Sequence, residues 1–177
     1  MTYSHFIHRH KFAVWCAARA VQRKFAKTIF LRDALEKCGI VEFMEHYNGG
    51  DISPETFDKL HENWCEAILK SWEEDQVANG SYGRAAKLIA VYIKSMIVVQ
   101  NDQTALSIVA HPPIDRMILQ NISKDKSINH QNRMYWKAIN WTELNKLQYQ
   151  NLIKDFRQVI NDKPFWVIEK YWTITPD

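Results

Sequence analysis

Three groups of residues have types and spacings that could do chemistry. The first is the histidines and cysteines. His5, His8 and His10 lie close together, but no acid lies nearby to complete a ligand set of three or four. His61 and Cys65 are four apart on a helical face. His61-Glu62-Asn63-Trp64-Cys65 is a variant of the H-E-x-x-H zinc pattern with Cys at the second ligand position and no third ligand in view. The reading is a structural pair and exposed terminal histidines, with no metal and no cofactor. The second group is the tryptophans. Trp15, Trp64, Trp72, Trp166 and Trp172 sit among apolar residues and read as core, whereas Trp136 and Trp141 flank a polar segment where an exposed ring could stack on a base. The third group is Gly80-Ser81-Tyr82-Gly83-Arg84, a tight Gly-x-x-Gly turn opening an apolar helix, followed some thirty residues later by Ile114-Asp115 at another helix start. Backbone N–H groups at such a turn can hold an anion, and Arg84 adds charge there. A local alternative needs no ligand: the glycines make a loop, and Asp115 stabilises the positive end of its helix. No G-x-S-x-G elbow, P-loop or G-x-G-x-x-G is present.

The elements that must position these groups read as helices. Val14, Ala18, Val21 and Phe25 form one stripe of a helix over about 8–27, and Arg19, Arg23 and Lys27 form another. A short segment from Leu31 to Cys38 ends at Gly39, a plausible C′ residue. Ser53 and Pro54 supply a cap and first turn for a helix carrying Phe57, Leu60, Trp64, Ile68 and Trp72 on one face. Arg84 to Val99 is apolar on most sides, as a central buried helix must be; its β-branched end leaves a strand open for Met96–Val99. A short helix follows to about Ile122, and Ser123 to Asn132 reads as loop. Thr142 can cap a helix to Ile160, and Pro164 starts a last short one.

The chain has 177 residues, 46% hydrophobic and 24% charged, with only 5 Gly and 5 Pro. That composition excludes disorder and leaves little turn material for an all-β fold. The expectation is an all-α fold: a single globular domain over residues 1–177, with five to eight helices around the central one. Three cysteines without a C-x-x-C pair fit a reducing, cytoplasmic setting, and no apolar run reaches a membrane span. The basic start, free of acids through residue 32, resembles a transit peptide only in charge, being almost without serine, and is read as structural. The formal net charge of +3 conceals a partition: residues 1–32 carry +7, residues 33–80 carry −9 and residues 81–177 carry +5. Such segregation can build a basic face for a polyanion, or acidic and basic helices can neutralise one another in contact.

The order of turn, buried helix and apolar-Asp helix start resembles the helix-hairpin-helix DNA glycosylase superfamily, over about residues 65–175. The resemblance implies a hairpin ending at Tyr82-Gly83-Arg84 that grips a DNA phosphate, with Asp115 as the catalytic carboxylate. Ala85 stands where bifunctional members carry a lysine, and Lys87 lies two residues on, so the implied activity in DNA repair is monofunctional hydrolysis of a damaged base's N-glycosidic bond. Ser81, Tyr82, Gly83, Arg84 and Lys87, with Arg19, Arg23 and Lys27, form the expected DNA-binding set. The alternative is a non-enzymatic module in which the acidic 55–75 helix and the basic 9–27 helix are surfaces for protein partners.

Overall fold

The computed structural model describes residues 3–22 and 25–173. The fold is all-α, as the composition requires. Nine α-helices are present among the described residues: α1 (His5–Gln22), α2 (Thr28–Lys37), α3 (Ile40–His46), α4 (Pro54–Glu74), α5 (Tyr82–Ile93), α6 (Ala105–Val109), α7 (Arg116–Ile122), α8 (His130–Ala138) and α9 (Lys146–Ile160). A π-helical turn, Lys94–Val98, continues α5, and two 3-10 segments, Trp141–Glu143 and Phe165–Tyr171, flank α9. The helices exceed the number read from periodicity because α3 and α6 are too short to display a full apolar stripe.

Helix α5 is the hub. Ten of its twelve residues are buried, and it packs on α1, α2, α4, α9 and the Trp141–Glu143 segment. Helices α1 and α5 are in contact, and both bury small residues, Ala13, Ala17 and Ala18 on α1 and Ala85, Ala86 and Ala90 on α5. One contiguous core draws on every helix from α1 to α9. No helix among the described residues is long and apolar enough to cross a membrane.

Local signals set most boundaries. Ser53 caps α4 by accepting the Thr56 N–H, with Pro54 in the first turn. Gly39 ends the α2 region with φ +91°, a left-handed conformation that costs glycine little. Elsewhere the boundaries shift. Helix α1 is described as far as Gln22, and Phe25 lies in a turn outside it. The α5 helix gives way after Ile93 to the π-helical turn, so Met96–Val98 is neither strand nor α-helix. Thr142 does not cap α9. Asn145 does, through a capping box with Gln148, while the Thr142 hydroxyl donates to Asn140 Oδ1. The 123–132 stretch is a loop only to Asn129, which caps α8. The basic and acidic blocks meet in part: Lys146 of α9 bridges Glu62 and Glu66 of α4 at 2.8 and 2.6 Å.

Candidate functional site

Asp115 stands at the end of a segment, His111–Ile114, that Pro112 and Pro113 hold extended. Its Oδ1 accepts the N–H groups of Met117 and Ile118 at 2.9 and 3.1 Å, capping α7. Its Oδ2 accepts from Lys87 Nζ of α5 at 3.2 Å, with the two side chains only 15% and 7% exposed. Lys87 Nζ also lies 4.5 Å from the centre of the Trp141 ring. Seven residues on, two turns along the same face, Lys94 pairs with Glu169 of the last 3-10 segment. Burial raises the Glu169 carboxyl above the usual range, against the opposing charge of Lys94.

These two pairs line a cleft of about 610 Å³ between α1, the α5–π-helix continuation, α7 and the C-terminal segment. The π-helical turn contributes Lys94 and Ser95 to the wall, and such turns recur at functional sites because they re-aim side chains. Arg19 of α1 and Arg116 of α7 line the cleft as exposed cations, and Trp172 lines it with its ring near Lys94. A second depression, of about 500 Å³, adjoins the first and shares Arg116 and Gln120 with it. Arg84, Lys137 and Trp141 line this second part. The Arg84 guanidinium lies 4.3 Å over the Phe25 ring, and partial burial lowers its proton affinity while Glu143 counters from beyond ion-pair distance.

Of the residues singled out in the sequence, Asp115, Lys87, Arg19 and Arg84 converge on this double cleft. The glycine turn does not present the open hairpin expected of it. Ser81 caps α5, its hydroxyl accepting the Arg84 N–H at 3.2 Å. The Gly83 N–H donates to Leu144 O at 3.1 Å, and Tyr82 and Gly83 are buried. A Cβ on Gly83 would stand 2.0 Å from Trp141 O, so glycine is required here for the close approach of the 141–144 backbone. The N–H groups of Gly83 and Arg84 are thus taken by partners inside the protein. Lys27 is exposed but lines neither depression, and Arg23 lies outside the described residues.

The aromatic assignments hold in part. Trp64 and Trp72 are buried as expected, but so are Trp136 and Trp141, whereas Trp15 is 57% and Trp172 40% exposed. A signal for Trp15 was present: it lies one residue from the apolar Val14 stripe, about 100° around the helix, and at the head of the Arg19 stripe. Of the terminal histidines, His8 bonds the Tyr3 hydroxyl and His10 the Tyr92 hydroxyl, and no metal-binding group of three occurs among the described residues.

A second polar cluster escaped sequence reading. Arg157 of α9 grips Asp58 of α4 with two bonds of 2.6 Å. His111 Nε2 donates to Asp58 Oδ1 at 2.8 Å, so its Nδ1 accepts from the Tyr149 hydroxyl at 3.2 Å. His61 stacks on Tyr149 and lies 4.4 Å, ring to ring, from His111. His61 and Cys65 do share a face, with Sγ nearly equidistant from both ring nitrogens at 3.7 and 3.9 Å. Burial would raise the Asp58 carboxyl, but Arg157 and His111 hold it far below the usual range. Burial keeps both histidines neutral by lowering their proton affinity. The cluster lines a cleft of about 610 Å³ and ties α4, α9 and the pre-α7 segment together. Partners 53 and 99 residues apart leave no local pattern to read.

No protein-family model, no curated protein and no solved structure matches this chain.

Proposed function

We propose that this protein binds nucleic acid through the double cleft. The observation that carries the reading is a charge imbalance. Both acids of the first depression, Asp115 and Glu169, are already paired with lysines. Arg19, Arg84, Arg116 and Lys137, spread over the two depressions, form no ion pair with any described residue. Cations left unneutralised along a groove attract a phosphate backbone, and neutralising phosphates releases counterions. Arg116, shared by both parts, sits where a backbone crossing from one to the other must pass.

The test is fluorescence anisotropy of labelled DNA as salt is raised from about 50 to 200 mM. Affinity falls steeply with salt, and Arg116→Ala weakens binding while flattening the log–log slope by about 0.7–0.9, one phosphate's worth. A protein that retains no DNA at the lowest salt refutes the proposal.

An enzymatic extension rests on the carboxylate in the cleft floor. In it, the C1′–N bond of an extruded nucleotide breaks and the departing base takes a proton from solvent. Asp115 stabilises the cationic sugar until water adds at C1′ and loses a proton to solvent, and the phosphates are held by the cleft arginines rather than by the glycine turn. Lys87 must then move off Oδ2, because both carboxylate oxygens are engaged. Release of free base from a damaged oligonucleotide, lost in Asp115→Asn while binding persists, is the expected result. No release by the unaltered protein removes the extension and leaves the binding proposal standing.

A further inference from the structure

We infer that the preferred ligand is single-stranded nucleic acid, its unpaired bases stacking on exposed aromatic rings that flank the cleft; the inference rests on the nucleic-acid reading above. Most large aromatic side chains in this protein are buried or half-buried, yet Phe12 and Trp15 of α1 are 58% and 57% exposed and lie 6.2 Å apart, ring to ring. Their place on the helix is specific. Trp15 is four residues before Arg19, and Phe12 is four before Cys16, and both Arg19 and Cys16 line the cleft. Residues four apart on a helix are surface neighbours, so the two rings form a shelf that runs directly into the cationic cleft. Across the cleft Trp172 is also exposed, with Lys94 Nζ 5.5 Å from its ring.

Exposed rings beside unneutralised cations are the two parts of a single-strand site: the cations track phosphates and the rings take base faces. In a duplex the base faces are occupied by their neighbours, so the shelf gains nothing from paired DNA. The path fits as well. From Phe12 to Arg19 the helix rises about 10 Å, enough for two stacked bases before the backbone reaches Arg19 and Arg116. The same shelf, aromatic with Lys11 and Arg19 beside it, could lie on an anionic lipid surface. The continuation into a cleft favours the nucleic acid, because a flat headgroup layer cannot follow Arg116 into a depression shared with Arg84.

The experiment uses the full chain and labelled homopolymers of about 15 nucleotides, oligo-dT and oligo-U, beside a duplex of the same length. Single strands bind tighter than duplex. Trp15→Ala weakens single-strand binding by about tenfold without changing the salt slope, and Trp15→Phe restores most of it. Arg116→Ala has the complementary signature, a flattened slope on both forms. Phe12→Ala, at a second exposed position, repeats the Trp15 effect and guards against a folding artefact, with circular dichroism confirming helix content for each variant. Duplex bound as tightly as single strand, with no selective loss in Trp15→Ala, overturns this inference and leaves nucleic-acid binding intact. No oligonucleotide bound at low salt overturns both, and retention on phosphatidylserine vesicles in that case assigns the shelf to a membrane surface.

Discussion

Gly83→Ala separates a packing role for the glycine turn from a phosphate-gripping one. The new Cβ would stand 2.0 Å from Trp141 O, 3.2 Å from Trp141 C and 3.1 Å from Leu144 Cβ. The nearest atom belongs to backbone, so no side-chain rotation relieves the clash. The 141–144 segment must retreat by more than about 1 Å, which breaks the Gly83 N–H bond to Leu144 O and loosens the buried Trp141 and Leu144. Overpacking costs about 1–3 kcal/mol and the lost hydrogen bond about 0.5–1.5. The better helix propensity of alanine returns at most about 1 kcal/mol. The net expectation is a destabilisation of about 2–3 kcal/mol, measured as a fall in the urea midpoint of about 1 M or more at an unchanged slope. Gly80→Ala is the control: its Cβ is tight only against Trp72 Cε3 at 3.3 Å, with Trp72 Cβ and Val77 O at ordinary contact distance, and it costs less than about 1 kcal/mol. If Gly83→Ala unfolds at the wild-type midpoint and selectively loses DNA affinity, the packing argument is wrong and the turn is a phosphate grip.

Two further perturbations test the polar framework. His61 and His111 are buried neutral, their proton affinity depressed on folding, so the stability tied to them is complete above the unfolded histidine pKa of about 6.5 and is lost as pH falls below it. Urea midpoints therefore decline from pH 7 toward pH 5, and His111→Phe flattens that decline; an unchanged slope in the variant would discount the cluster. At Asp115, Ala removes both the α7 cap and the Lys87 partner and costs about 2–3 kcal/mol, whereas Asn keeps an oxygen for the cap and costs about 1 kcal/mol less, as read by thermal melts.

What the sequence determined by itself was whatever depends on near neighbours. The stripe of α1, the Ser53-Pro54 start of α4, the all-round apolarity of α5 and the helix start at Asp115 each follow from residues within a turn or two. Asp115, Arg19 and Arg84 stand out as candidates for the same reason, each marked by its place on a local element, whereas Lys87 is implied by the family resemblance alone. Tertiary structure decided which of them meet and which face water. Lys87 reaches Asp115 across 28 residues, and Arg157 reaches Asp58 across 99. The glycine turn reads as open because Gly80, Ser81 and Gly83 signal a loop locally, but the Trp141–Leu144 backbone, some sixty residues away, packs against Gly83. Trp15 and Trp136 exchanged roles because the exposure of a ring is set by what the rest of the chain lays against it. An α-helix settles which residues share a face; only packing settles which face the core takes, and the rings and cations left outside are the ones available to a ligand.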